Sequence, residues 1–153
     1  MAEPPDAAAL LPHSGPARLL TQVLEVDGNE ARCLGRVPLD SPFVEDGHAP
    51  SYLGLELGAQ AAAVLEALAQ RGAAGASGPR IGYLVGVRDA RLSTLAIPAG
   101  APLEVSVRLV GSAPPLALYA VRVLGDGVEY AAGTVSTFAP EGSPRPFPGD
   151  EPR

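Results

Sequence analysis

Lysine is absent from this 153-residue chain, so its 11 basic residues are all arginines, and 17 acidic residues outnumber them. The net charge of −6 argues against a nucleic-acid binder, which needs a basic stripe to neutralise phosphate. It also argues against a helix that lies on an anionic membrane surface. We therefore expect neither a nucleic acid nor a membrane as a partner.

Cysteine occurs once, at Cys33, so the chain cannot form an internal disulfide. No cluster of soft ligands indicates zinc, and we predict no metal site. No apolar run reaches the ~18 residues of a membrane span without an interrupting Glu or Gln. The first residues, "MAEPPDAAALLPH", lack the basic start and apolar core of a signal peptide, which predicts a cytoplasmic protein.

Apolar residues make up 46% of the chain and charged residues 18%, a balance typical of a globular domain with a buried core. We predict one such domain over residues 10–139. Residues 1–9 and the Pro/Gly-rich tail 140–153 are predicted to be disordered, because neither can bury enough apolar surface to order itself.

Hydrophobic periodicity predicts one long helix that starts at an N-cap, Ser51, and stops at Gly72. Alternation and turn signals predict strands over 18–26, 30–37, 80–92, 103–111, 116–125 and 128–138. Strands with short connections favour antiparallel pairing. A helix that is apolar on all sides indicates that a curved sheet wraps it, and its small residues let the sheet come close. This predicts an α+β hot-dog fold.

The predicted helix carries two polar groups among apolar neighbours, Glu56 and Gln60, one turn apart on the same face. A buried carboxylate must be paired, hydrogen-bonded or protonated. Glu56 could instead face solvent at a dimer edge or a helix end, and for Gln60 bracing of a loop is favoured over chemistry. His48 precedes the helix in the turn-like "EDGH" and could be a surface residue without a role. Together, His48 and Glu56 could act as a base and an acid.

Two other titratable residues receive no catalytic role. Glu66, near the end of the helix, is predicted to be solvated. His13, in the segment "LPHSGP" between two prolines, is predicted to cap or brace a loop.

Several short motifs in a fixed order carry a resemblance to a known family. "LPH", "VLEVDGN", "SPF" and the "ELGAQ" of the helix resemble segments of the hot-dog-fold 3-hydroxyacyl-[acyl-carrier-protein] dehydratases, over about residues 10 to 139. The chain is most similar to the divergent branch of aryl-polyene-type biosynthetic clusters. The resemblance implies dehydration of a (3R)-3-hydroxyacyl thioester, without a cofactor, in fatty-acid or polyene biosynthesis.

The resemblance also implies roles for individual residues. A loop histidine, His48 here, would take the C2 proton, and a helix carboxylate of the other subunit, Glu56, would protonate the leaving hydroxyl. Gln60 falls on the family's glutamine and Pro50 on the proline that opens the helix. The N–H of Ser51 falls where the family has a glycine that helps hold the thioester carbonyl. The loop after "GHAP" is shorter than the usual family loop.

The resemblance implies an acyl carrier protein as partner, for which Arg80, Arg88 and Arg91 are candidate docking residues, and a homodimer or a heterodimer with another hot-dog subunit. Two alternatives stay open. The chain could be an acyl thioesterase, which also uses a helix carboxylate, or a non-catalytic subunit that pairs with an active dehydratase.

Overall fold

The computed structural model describes residue 11, residues 15–74 and residues 83–138, with side chains given for all of these except 70–74 and 83. The predicted disordered ends, residues 1–9 and 140–153, lie outside the described residues. The described part contains a short 3-10 helix over Gly15–Ala17 and one α-helix, α1, over Leu53–Ala74. The strands are β1 Leu20–Asp27, β2 Glu30–Gly35, β3 His48–Ala49, β4 Tyr83–Leu92, β5 Ile97–Pro98, β6 Leu103–Ala113, β7 Leu116–Gly125 and β8 Val128–Phe138.

Six of these strands form one antiparallel sheet in the order β1-β2-β6-β7-β8-β4. Each of β1–β2, β6–β7 and β7–β8 is a hairpin, because its strands follow one another with short turns. The strand that follows α1, β4, pairs with β8 and not with β6. The chain therefore crosses the sheet between β4 and β6, and β1 and β4 are its two edges.

The core lies between α1 and one face of the sheet. Side chains of β6 alternate as the sequence predicts, so that Leu103, Val105 and Val107 are buried and the residues between them are not. Two glycines of the helix face this sheet closely: a Cβ atom on Gly54 would lie 2.7 Å from the Cβ of Ala131, and one on Gly58 would lie 2.8 Å from the Cβ of Val121. The small residues set the close helix–sheet distance, as predicted.

One helix packed on a large antiparallel sheet is the predicted α+β hot-dog arrangement. The sheet nevertheless does not enclose α1 completely. The helix packs mainly on β6, β7 and β8, and Leu55, Glu56, Ala59 and Ala63 are only half-buried. Contacts among the described residues thus do not account for the apolar character of this second face.

The start of the helix differs from the prediction. Helix α1 begins at Leu53, and the hydroxyl of Ser51 donates to the carbonyl of Ser93 at 2.7 Å, which is not the bond of an N-cap. The predicted stop at Gly72 is two residues early, within the usual uncertainty of helix ends. A two-stranded ladder of β3 and β5, which pairs His48 with Pro98, also escaped prediction because two residues are too short for a periodic signal.

Candidate active site

Gln60 lies at the centre of a hydrogen-bond network between α1 and the segment before β1. Its side chain is 0% exposed, its Oε1 accepts from the N–H groups of Leu19 (2.9 Å) and Leu20 (3.1 Å), and its Nε2 donates to the carbonyl of Ala17 (2.8 Å). A buried amide satisfied in this way is strongly held. The structure therefore places Gln60 where it braces a loop, the role favoured from sequence, and its contact with substrate stays a prediction.

Glu56 is joined to this network. Its Oε1 accepts the second Nε2–H of Gln60 at 3.2 Å, across one helical turn. Because the Gln60 amide is fixed at three other atoms, the bond holds the Glu56 carboxyl in one place on α1. The carboxyl is half-buried, near the beginning of the helix, on the side that the sheet does not cover. A carboxyl in this setting is accessible to a ligand and can exchange a proton with it.

His48 stands on a tight hairpin. The N–H of Glu45 donates to the carbonyl of His48 (2.8 Å), the N–H of His48 donates back (3.1 Å), and Asp46 and Gly47 between them both have positive φ, 52° and 75°. Positive φ at both central residues is the mark of a type I′ turn, which Asp-Gly favours. This turn accounts for the turn-like pattern "EDGH", and it fixes the backbone of His48.

The His48 ring contacts the turn that holds it. Its Nδ1 lies 3.0 Å from the carbonyl oxygen of Asp46. Because a carbonyl oxygen can only accept, Nδ1 carries the proton of this bond, and Nε2 of the neutral ring has the lone pair. The side chain is exposed, and no hydrogen bond joins it to Glu56 among the residues that the structure describes. Among the described residues of one chain, the two predicted catalytic residues are therefore not joined by a hydrogen bond.

Pro50 and Ser51 lead into α1 through a tight turn. The N–H groups of Leu53 and Gly54 donate to the carbonyls of Pro50 (3.1 Å) and Ser51 (2.9 Å). The N–H of Ser51 has no hydrogen-bond acceptor within residues 15–74 and 83–138. A donor of this kind at a helix start is suited to hold a carbonyl oxygen that gains negative charge.

Glu66 is the residue whose environment the sequence misjudged. It is half-buried rather than fully solvated: its Oε2 lies 3.4 Å from the hydroxyl of Tyr119 and 3.5 Å from that of Thr137. Burial, and secondly the charge of Glu66, raises the pKa of Tyr119. The predicted length of α1 could have revealed this contact, since residue 66 lies well inside a helix that packs on a sheet. His13, the other histidine, lies outside the described residues.

The edge strand β4 exposes apolar side chains. Leu84, Val85, Val87 and Leu92 are 44%, 56%, 37% and 46% exposed, and one side of β4 has no neighbouring strand among the described residues. Natural proteins usually protect such an edge by charge, by a bulge or by a partner. The apolar edge and the half-buried face of α1 together indicate an interface with another subunit.

The arginines of the sheet lie on its opposite face, away from α1. A shallow concavity of about 500 Å³ is lined there by Arg32, Arg91, Arg108 and Arg122. Each has an acidic neighbour; Arg122, for example, donates to Glu129 at 2.6 Å, a bond that holds the pKa of Glu129 below its ordinary value. This concavity is lined by none of the predicted catalytic or substrate-binding residues. Among the candidate docking residues, Arg88 and Arg91 lie on β4, and Arg80 is outside the described residues.

Metal ligands, reactive thiols and membrane-spanning helices also bear on what a protein can do. Within the described residues, no group of three or more His, Cys, Asp and Glu side chains is placed to hold a metal ion. Cys33 is fully buried in β2, and this burial raises the pKa of its thiol to about 11. No helix in the described part of the chain is both long enough and apolar enough to span a membrane.

Comparisons with known proteins agree with the fold. The model of the ApeP-like family, described as ApeP dehydratase, matches residues 5–147. A solved structure, the dehydratase heterocomplex ApeI:P from Xenorhabdus doucetiae, is similar at 28% identity and a TM-score of 0.76, over 92% of this chain and 93% of that one. A search of curated proteins gave no significant match.

More distant structures share the fold. A hypothetical thioesterase with coenzyme A from Streptococcus pneumoniae is 12% identical with a TM-score of 0.58, over 78% of this chain and 84% of that one. A mutant of the phenylacetic acid degradation protein PaaI from Thermus thermophilus is 24% identical with a TM-score of 0.55, over 77% of this chain and 91% of that one. At these identities the likeness concerns the fold alone.

Proposed function

This chain belongs to the ApeP-like dehydratase family, and we propose that it dehydrates a (3R)-3-hydroxyacyl thioester to the trans-2-enoyl thioester in polyene or fatty-acid biosynthesis. The acyl group arrives on the phosphopantetheine of an acyl carrier protein. The observation that carries the proposal is the half-buried Glu56 carboxyl, which a fixed Gln60 amide holds on the side of α1 that the sheet leaves uncovered.

The reaction needs one base and one acid on the two sides of the C2–C3 bond. Nε2 of His48 takes a proton from C2, and the electrons of the broken C–H bond form the C2=C3 double bond. The C3–O bond breaks as the Glu56 carboxyl gives its proton to the leaving hydroxyl, which departs as water. The N–H of Ser51 donates to the thioester oxygen while C2 loses its proton, and Pro50 shapes the turn that directs this N–H.

The site is completed by a second subunit. His48 is exposed and has no hydrogen bond to Glu56 of its own chain in the described structure, which supports an arrangement in which the histidine of one subunit faces the carboxyl of another. The apolar edge of β4 and the uncovered face of α1 offer the surface for this contact. We propose a homodimer or a heterodimer with sheets joined edge to edge. A monomer in light scattering at micromolar concentration contradicts it.

A carrier protein has to dock near the entrance to this site. Arg88 and Arg91 of β4 are exposed on the edge strand, and Arg91 is only loosely paired, 3.8 Å from Glu129. Such cations attract an acidic carrier protein and are screened by salt. Replacing both by Ala is expected to lower kcat/KM for the carrier-bound substrate and to leave turnover of the free pantetheine thioester unchanged. Equal effects on both substrates contradict docking at these residues.

A second candidate function is a non-catalytic subunit that pairs with an active dehydratase. The similarity to the ApeI:P heterocomplex and the absence of a hydrogen bond between His48 and Glu56 in the described part of one chain favour this candidate specifically. A thioesterase has no comparable support, because those structural matches are too distant to carry an activity.

The test of the function is an assay of the purified protein, alone and combined with an ApeI-type dehydratase subunit. The ultraviolet absorbance of the enoyl thioester reports dehydration, and a thiol reagent reports hydrolysis. Enoyl formation that His48→Ala abolishes supports the proposal. Enoyl formation that survives His48→Ala but needs the added subunit favours the partner-subunit function, and thiol release without enoyl formation favours a thioesterase.

A further inference from the structure

The hydroxyl of Ser51 makes an unusual bond for a serine at the start of a helix. A serine in this position ordinarily accepts a hydrogen bond from the N–H two or three residues further on. Here the hydroxyl donates away from the helix, to the carbonyl of Ser93, at 2.7 Å. The bond joins residues 42 apart in the sequence and is partly shielded from water.

Ser93 is itself firmly placed. It directly follows the edge strand β4, and its N–H donates to the carbonyl of Tyr130 in β8 at 2.9 Å. Its hydroxyl accepts from the N–H of Leu95 at 3.0 Å. The Ser93 carbonyl, which accepts the hydrogen bond from the Ser51 hydroxyl, is therefore held in place by the sheet.

The same residue, Ser51, carries the backbone donor without an acceptor in the described structure. Rotation of the Pro50–Ser51 peptide would turn this N–H away from any bound carbonyl. The hydrogen bond from its own side chain to Ser93 opposes such a rotation. Small displacements of a donor are costly in catalysis, because the donor must already point to where charge develops.

We infer that Ser51 is a positioning residue, whose hydroxyl, by its bond to the Ser93 carbonyl, holds the Ser51 N–H toward the substrate's thioester oxygen. The inference rests on the proposed function. A glycine at the same position could not hold its N–H in this way, because glycine has no side chain to bond to Ser93. The bond from Ser51 to Ser93 also ties the helix start to the end of β4, the edge at which we place the second subunit.

The test compares Ser51→Ala with Ser51→Thr, which keeps the hydroxyl. Ser106→Ala is the matched control, because Ser106 is also half-buried but lies in β6 and has no part in the site. In Ser51→Ala we expect kcat to fall about tenfold, less than the ~10²–10³-fold loss from deleting an oxyanion-hole donor. KM should stay within about twofold, because the lost orientation matters most in the transition state. Ser51→Thr and Ser106→Ala should retain most of kcat.

A spectroscopic readout separates positioning from folding. With a (3R)-3-hydroxyacyl pantetheine thioester labelled with ¹³C at the carbonyl, the C=O stretch of the bound substrate should lie at higher frequency in Ser51→Ala than in wild type, because its hydrogen bond is weaker. Thermal unfolding should be alike in the two proteins.

Three results would contradict the inference. An unchanged kcat and C=O stretch in Ser51→Ala, with active wild type, overturns the inference and leaves the proposed function standing. A loss of kcat that accompanies a loss of folded protein, or that Ser51→Thr shares in full, also overturns it, since the role is then structural. A wild type that forms no enoyl thioester with either subunit composition overturns both.

Discussion

Helix α1 carries two half-buried carboxyl groups, Glu56 and Glu66, and their surroundings differ. They lie ten residues apart, about 15 Å along the helix axis. Glu66 accepts from two hydroxyl groups of the sheet, those of Tyr119 and Thr137. Glu56 accepts from Gln60, an amide of its own helix that is fixed in turn to the segment before β1.

The donors, more than the degree of burial, separate a structural carboxyl from a candidate catalytic one. Tyr119 and Thr137 are buried side chains of β7 and β8, so Glu66 links the second half of α1 to the sheet. Glu56 instead accepts a hydrogen bond from Gln60 and is half-buried on the side of the helix where we propose that a partner and a substrate approach. Four substitutions test this difference, in order of decreasing expected effect.

The largest effect is expected from Glu56→Gln. Glutamine is nearly isosteric but cannot donate the proton, and general acid catalysis typically contributes ~10²–10⁴-fold in rate. We expect enoyl formation to fall by that factor, with little change in the free energy of unfolding. The matched variant Glu66→Gln should keep most of the activity. Equal activity of the two variants would break the comparison, as would an undiminished rate for Glu56→Gln.

Gln60→Leu should give the largest loss of stability. It leaves the N–H groups of Leu19 and Leu20 and the carbonyl of Ala17 without their partner, and each buried unsatisfied group costs about 1–3 kcal/mol. Because some of these groups can regain water, we expect a net loss of about 2–4 kcal/mol in urea unfolding. Gln22→Leu, at an exposed glutamine of β1, is the control. A loss below that of the control would show that Gln60 does not brace the loop.

Glu66→Gln should destabilise the protein by about 1 kcal/mol, because it removes the charge from two long hydrogen bonds and keeps the shape. Chemical unfolding measures this value, and Glu25→Gln, at an exposed carboxylate of β1, provides the comparison. No loss in Glu66→Gln relative to Glu25→Gln would remove the structural role given to Glu66.

The smallest effect concerns alkaline pH. Burial, and then Glu66, raises the pKa of Tyr119 in the folded state above its ordinary value of 10.0. Above that pH the unfolded chain loses the tyrosine proton and the folded chain keeps it, so stability falls as pH rises. Tyr119→Phe should lose less stability than wild type between neutral pH and pH values above 10.0. Cys33 contributes equally to both proteins, so their difference isolates Tyr119. If the stabilities of wild type and Tyr119→Phe fall equally with rising pH, the pKa of Tyr119 is not raised in the folded state.

Elements with a long periodic pattern were predictable. The strands at 103–113, 116–125 and 128–138 and the helix alternate or repeat over many residues, so local sequence determines them. The ladder of β3 and β5 and the pairing of β4 with β8 depend on contacts between distant segments, which no local pattern reports. The start of α1 was misplaced for the same reason, since the side chain of Ser51 bonds to the carbonyl of Ser93 and not to an N–H of its own helix.

In the candidate site, too, some features were predictable from the sequence and others depend on tertiary contacts. The sequence alone determined that Glu56 and Gln60 share one helix face, because the helical repeat brings residues four apart together. It also determined the Asp-Gly turn that carries His48. Only the tertiary structure decided which polar groups meet which partners: Gln60 meets the backbone of the segment before β1, and Glu66 meets two hydroxyl groups of the sheet. Hydrogen-bond partners depend on distances of a few ångströms between remote parts of the chain, and those distances exist only once the helix has packed on the sheet.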